Sequence, residues 1–266
     1  MRSSLDDDAE IAAECGYSAL EVWADKVAEY ARERPLEQLG AKLRSLGVQP
    51  WCIDSIEDIT FRDVAGRRAL LDELRRVCDV ARAVGAPSIV VVPGRRDDGF
   101  NRGESVADAV DVLRAMSEVS GEISLAFEFL GKPGCSVPVL DMAIEIVEQV
   151  DRPNVGMVID TFHFYAGGSR LEDIAEVPAG RLFVVHLNGC EDIPRSDLTD
   201  AHRLYPGEGA LPIDAILREI RKIGYDGVFS VEIFRPEYWG QDARHVARIA
   251  REKAEAVLRK AGYIDG

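Results

Sequence analysis

Seven short β-rich runs recur along the chain, at 19–23 (ALEVW), 48–53 (VQPWCI), 87–93 (PSIVVVP), 123–129 (ISLAFEF), 154–160 (NVGMVID), 181–188 (RLFVVHLN) and 227–234 (GVFSVEIF). Stretches with helical periodicity lie between them. In 69–85 the spacing puts Leu70, Leu74, Val77, Cys78 and Ala81 on one face, and in 139–150 it does the same with Leu140, Ala143, Ile144 and Val147. Gly16, Gly47, Gly85 and Gly224 each stand between a helical stretch and a strand, where a left-handed cap suits glycine. Each β-rich run reads as buried on both faces, as in a parallel sheet covered by helices. Strand-helix alternation sustained over 266 residues predicts a parallel α/β barrel joined by right-handed crossovers. With no Gly/Ser-rich or Pro-rich spacer and no short repeat, residues 1–266 read as a single barrel domain.

The count falls short of eight. The chain opens directly on a helix, with Asp6, Asp7, Asp8 and Glu10 suited to its positive N-terminal end. A closed eightfold barrel wants one more strand before residue 5. The first strand is therefore expected to be missing, either because the gene starts upstream and encodes it, or because a seam runs between the strands at 19–23 and 227–234.

Charge and cysteine content exclude several classes. A net charge of −15 disfavours nucleic acid and anionic membrane as partners, since both attract clustered Lys and Arg. The acidic opening MRSSLDDDAE is unlike a secretory signal, and no apolar run approaches spanning length, so the expected location is the cytoplasm. The five cysteines, Cys15, Cys52, Cys78, Cys135 and Cys190, are scattered and show no CxxC spacing, which suggests free thiols rather than a disulfide framework or zinc knuckle.

Barrels of this kind carry their chemistry at the C-terminal ends of the strands. The last four runs end on Glu128 (AFEFLG), Asp160 (VIDTFH), His186 (VVHLNG) and Glu232 (SVEIFR). An acid at the end of a buried strand is costly without a compensating partner. Four consecutive strands presenting one such group at the same level make an open site for one divalent cation. The oxygen-rich set with one nitrogen suits Mn²⁺, Co²⁺, Mg²⁺ or Zn²⁺, and the imidazole favours the transition metals, Mn²⁺ foremost. Two neighbouring oxygens of an α-hydroxy ketone could complete such a site, with an enediolate forming when the adjacent C–H is lost. Glu128 and Glu232 are the carboxylates placed to remove and return that proton.

At this level of detail the chain resembles the xylose isomerase-like sugar isomerase and epimerase TIM barrels. The resemblance rests on Glu128, Asp160, His186 and Glu232 together with FEFLGKPGCSV, NVGMVIDTFHFYAGGS, CEDIP, LTDAHRLYPGEGALPIDA and SVEIFRPEYW. It covers the chain from about residue 9, and its C-terminal half is most similar to inosose (2-keto-myo-inositol) isomerases. The resemblance implies a (β/α)8 barrel, one divalent metal on the four residues named, and proton transfer by the two glutamates. It further implies substrate contacts from His163 in DTFH and from Arg203 before PGEG, although His163 could instead cap a loop and Arg203 could pair with Asp197 or Asp200. Trp51, Tyr238 and Trp239 are candidates for the pocket wall or for plain packing.

The expected substrate is a small uncharged keto-polyol. Barrel phosphate sites use glycine-rich loops late in the chain, whereas here these read NGCEDIPRSDLTDAHR and FRPEYWGQDAR. Inosose isomerisation leads, and a ketose 3-epimerase or keto-glycoside lyase using the same metal and glutamate pair is the nearest alternative. A multi-metal hydrolase like the DNA-repair endonucleases sharing this barrel would need more ligands than four histidines and these acids offer. A metal-free sugar-binding protein leaves the ligand set without a purpose. A homo-oligomer is compatible with every one of these readings. Lys132, next to the Glu128 strand, has no assigned role.

Overall fold

The computed structural model describes residues 3–95, 101–178 and 180–265. Seven parallel strands form one sheet: β1 (Ala19–Trp23), β2 (Gln49–Ile56), β3 (Ser88–Val91), β4 (Ser124–Glu128), β5 (Val155–Asp160), β6 (Leu182–Leu187) and β9 (Val228–Val231), hydrogen-bonded in that order. Between β6 and β9 the chain makes a small antiparallel ribbon, β7 (Gly189–Cys190) and β8 (Arg203–Leu204). The outer layer comprises α1 (Leu5–Glu14), α2 (Ala24–Tyr30), α3 (Leu36–Ser45), α4 (Val64–Val84), α5 (Arg102–Ser120) and α6 (Leu140–Val150). It continues with α7 (Thr161–Gly167), α8 (Ile213–Lys222), α9 (Pro236–Trp239) and α10 (Ala243–Ala261). No described helix is long and apolar enough to cross a membrane, and the five cysteines are free.

The helical spacing holds where the sequence placed it. In α4 the buried face is Leu70, Leu74, Cys78, Ala81 and Val84, with Val77 at its half-buried margin, and Gly85 ends the helix at φ 92°. Helix α6 buries Leu140, Ala143, Ile144 and Val147. At the start, Ser4 and Asp7 form a reciprocal cap on α1, satisfying end donors that have no partner within the helix.

Burial along the strands is uneven, which corrects one expectation. Strands β3 and β5 are buried throughout, but all of β9 and four of the five residues of β1 are only half-buried. These are the two ends of the sheet, and they do not pair with each other. The barrel is thus nearly closed, with a seam where an eighth strand would lie. Side chains bridge it. Trp23 meets Phe234 edge-on at 6.1 Å, Tyr17 Oη donates to the Ala247 carbonyl at 2.9 Å, and Arg251 Nη1 donates to the Cys15 carbonyl at 2.6 Å.

The loop after β4 approaches α7 closely. A Cβ on Gly131 would lie 2.3 Å from the His163 carbonyl oxygen and 2.4 Å from the Gly167 nitrogen, and one on Gly167 would lie 2.1 Å from the Pro138 carbonyl oxygen. Only glycine fits at such backbone contacts, and they set where the ends of β4 and β5 lie relative to each other. Gly131→Ala is expected to lower stability by roughly 1–3 kcal/mol in urea unfolding, the usual cost of overpacking a closed contact. Wild-type stability in that variant would show that the loop can move away freely.

Candidate metal centre

Residue parity along each strand decides which side chains face the barrel interior. Glu128 is in register with Val158, Asp160 with His186, and His186 with Ser230. Asp160 and Glu232 therefore stand two residues beyond the partners of their neighbours. The four groups are staggered rather than level, as the shear of a barrel requires, but steps of two keep them all on the inner face. Beneath them a small apolar layer of Cys52, Val90, Val92, Ala126, Val158 and Val184 fills the interior.

The stagger brings the groups together. One ligand atom from each of Glu128, Asp160, His186 and Glu232 lies within 4.8 Å of the other three. His186 Nδ1 is 3.3 Å from Glu128 Oε1, 3.3 Å from Glu232 Oε2 and 3.8 Å from Asp160 Oδ2. Glu128 Oε1 and His186 Nδ1 are nevertheless buried without a hydrogen-bond partner. Buried polar atoms are normally satisfied, and orphans facing one another around a shared point are what a cation would complete. The donor set of three carboxylates and one imidazole thus fits a divalent ion.

His163 and Arg203 also lie in this centre. Asp160 caps α7, its Oδ1 accepting from the His163 backbone N–H at 2.8 Å. Arg203 is fully buried and its Nη1 donates to Asp160 Oδ2 at 2.6 Å and to Glu232 Oε2 at 3.1 Å. Its Nε donates to Asp200 Oδ1 at 3.2 Å, so pairing with Asp200 accompanies the contacts to the site acids rather than replacing them. Phe162 and Phe234 contact the guanidinium at 4.7 and 5.4 Å from their ring centroids, cation–π contacts that favour a buried arginine. Arg203 Nη2 also donates to His163 Nε2 at 3.1 Å. Burial, together with the Arg203 and Lys132 charges, holds the His163 imidazole well below its ordinary pKa, so the ring is neutral and accepts on Nε2.

The carboxylates are driven apart in pKa. Burial pushes Glu128 up to about 7, with the Glu232 and Asp160 charges adding to it. Burial also opposes ionisation of Glu232, but attraction to His186 and Arg203 overcomes it and brings that group to about 2. Lys132 pairs with Asp200 at 2.7 Å, tying the loop after β4 to the partner of Arg203.

Sequence reasoning missed several residues here. Asn188 Nδ2 donates to Asp160 Oδ2 at 3.0 Å, and its Oδ1 accepts from Thr161 Oγ1 at 2.7 Å, so the two polar residues hold Asp160 from behind. Asn188 stands two residues past His186, a parity that could have found it. Glu21, in the middle of β1, approaches His186 Nε2 at 3.2 Å. Its signal was an acid inside an otherwise apolar strand. Asp54, the partner of Trp23 in register, lines a cleft of about 640 Å³ along the seam with Glu21, Glu232, Trp51, Tyr238 and Trp239. The three aromatic candidates are therefore cleft walls.

Three findings relate the chain to known proteins. Residues 9–259 match the family model described as a xylose isomerase-like TIM barrel. An inosose isomerase of Bacillus velezensis is 33% identical over 261 residues, covering 97% of this chain and 93% of its own, and one of Bacillus subtilis is 32% identical with 97% and 94% covered. A crystal structure of the IolI protein with a bound zinc atom superposes with a TM-score of 0.95 at 32% identity, covering 99% of this chain and 95% of that one.

Arg203 compensates two acids, Asp160 fully buried and Glu232 largely so. Arg203→Met is expected to destabilise the metal-free protein by roughly 3–5 kcal/mol in urea unfolding, the typical cost of removing one partner from a buried charge pair. A loss below about 1 kcal/mol would mean that the acids are neutral without it.

Proposed function

The chain belongs to the xylose isomerase-like TIM barrel family, and from that premise we propose that it is a divalent-metal-dependent inosose isomerase acting in the cytoplasm. In this reading it moves a proton between adjacent carbons of a cyclic keto-polyol. The observation that carries the reading is the convergence of Glu128, Asp160, His186 and Glu232 within 4.8 Å at the strand ends of a barrel similar to inosose isomerases.

Glu128, Asp160, His186 and Glu232 would hold the ion, with Mn²⁺ expected and Co²⁺, Mg²⁺ and Zn²⁺ as alternatives. When bound, the ion supplies Lewis acidity that lowers the cost of negative charge on the ketone oxygen. The remaining work falls to side chains. Glu128 and Glu232 come from opposite ends of the four-strand arc β4-β5-β6-β9. One takes the proton from the hydroxyl-bearing carbon beside the carbonyl, the other delivers a proton to the former carbonyl carbon, and the proton of that hydroxyl passes to the former carbonyl oxygen, so the ketone moves by one carbon. Arg203 holds Glu232 by its Oε2 and so fixes the direction of that carboxylate. His163 and Arg203 orient substrate hydroxyls, His163 in the neutral form that burial imposes. Trp51, Tyr238 and Trp239 wall the cleft with apolar surface against which a sugar ring can lie.

The deciding experiment is incubation with Mn²⁺ and a panel of inososes and ketohexoses in D₂O. Deuterium should enter one carbon of an inosose, with a second inosose as product. Exchange confined to C3 of a ketohexose would replace this reading with a ketose 3-epimerase, and no exchange in any keto-polyol would end it. A chelator should abolish turnover, and added Mn²⁺ should restore it.

Glu232→Gln tests the proton-transfer role. The amide keeps an oxygen for coordination but cannot accept the proton, so kcat should fall by about 10²–10⁴-fold with KM little changed. Near-normal kcat with the metal bound would remove Glu232 from proton transfer.

A further inference from the structure

We propose that Glu21 is the positioning residue of the metal centre: its carboxylate receives the Nε2–H of His186 and so turns the Nδ1 lone pair toward Glu128, Asp160 and Glu232. This deepens the metal reading above and rests on it.

The argument begins from what an imidazole can do. A neutral ring has one N–H and one lone pair, and the partner of one nitrogen decides the role of the other. His186 Nε2 lies 3.2 Å from Glu21 Oε1 and 3.3 Å from Glu21 Oε2. An ionised carboxylate only accepts, so this nitrogen carries the hydrogen. When a cation displaces the second ring proton, the lone pair falls on Nδ1, which is buried and faces acid oxygens at 3.3, 3.3 and 3.8 Å. Burial opposes a charge on this ring, but Glu21, Glu232 and Glu128 raise its pKa well above the ordinary value, so without metal a proton occupies the place among the acids that a cation would take. Glu21 therefore selects the tautomer that ligates through Nδ1, and its negative charge raises the donor strength of the ring.

Glu21 is itself held. It faces inward from β1 in register with Cys52, whose Sγ donates to Oε2 at 2.6 Å. Burial keeps that thiol protonated, well above its ordinary pKa, and hence a donor. The carboxylate thus lies on the far side of the ring from Glu128, Asp160 and Glu232, restrained by β2, and does not belong to the ligand set.

Co²⁺ is the probe for the test. Wild-type protein, Glu21→Gln and Glu21→Ala are titrated with Co²⁺, reading visible absorption bands and affinity by chelator competition. Urea unfolding of the metal-free forms is measured in parallel. Gln retains an oxygen to accept from Nε2, so its absorption bands should match wild type while affinity falls about 10-fold; Ala should lose about 100-fold and shift the bands. A purely structural ion pair predicts the reverse: lower metal-free stability in both variants, with Co²⁺ affinity of the folded fraction and bands at wild-type values. That result would overturn the role of Glu21 and leave the metal reading standing. Wild-type protein that takes up no Co²⁺ would overturn both.

Discussion

The mutual repulsion of buried carboxylates governs this molecule. Glu21, Glu128, Asp160 and Glu232 are packed around one imidazole at the mouth of a barrel, where water screens little. Among the described residues, the only arginine bonded to this group is Arg203, and it reaches Asp160 and Glu232. Glu128 is met instead by the His186 imidazole at 3.3 Å, and there burial pushes the carboxyl up to about 7. Such a concentration of charge on the inner face of the barrel has no structural purpose, since apolar residues of similar volume would pack there at lower cost. It makes sense as a binding site for positive charge.

The rest of the barrel holds these groups in place. A shift of one residue in any strand pairing would turn an acid outward into the apolar helix layer, so the register of β4, β5, β6 and β9 is specified by charge as well as by packing. Behind the acids, Thr161 and Asn188 form a closed set of hydrogen bonds linking the ends of β5 and β6. The aromatics of the DTFHF segment have a related task. Phe162 lies under the Arg203 guanidinium, and Phe164 joins the main core, so the run after β5 is the first turn of α7 folded back over the site.

Much of this was legible in the sequence because two periodicities carried it. Alternation of apolar runs located all seven barrel strands to within three residues at each end, and reading only their ends found Glu128, Asp160, His186 and Glu232. Level placement of those four was wrong, since stagger follows from barrel shear, a property of closure that no single strand encodes. Uniform strand burial was wrong for β1 and β9 because burial depends on neighbours across the sheet, and these two have one each. Glu21 and Asn188 escaped because their meaning lies in contacts to residues far along the chain. The separation between Glu21 and His186 is 165 positions.

The seam and the site are physically one feature. Strands β1 and β9 leave backbone N–H and C=O groups unpaired, and such groups are costly when buried. Here the two strands are only half-buried and border the 640 Å³ cleft, so their free edges face open space rather than apolar packing. The same cleft reaches Glu21, Asp54 and Glu232. Bridging falls to side chains at its margins, Trp23 with Phe234 at the mouth, and Tyr17 and Arg251 linking the segment after α1 to α10. An opening that relieves the backbone of desolvation thereby also gives a small polar molecule a path to the acids. The strand that supports His186 through Glu21 is consequently a wall of that path, so any molecule entering along the seam passes the residue that orients the ligand.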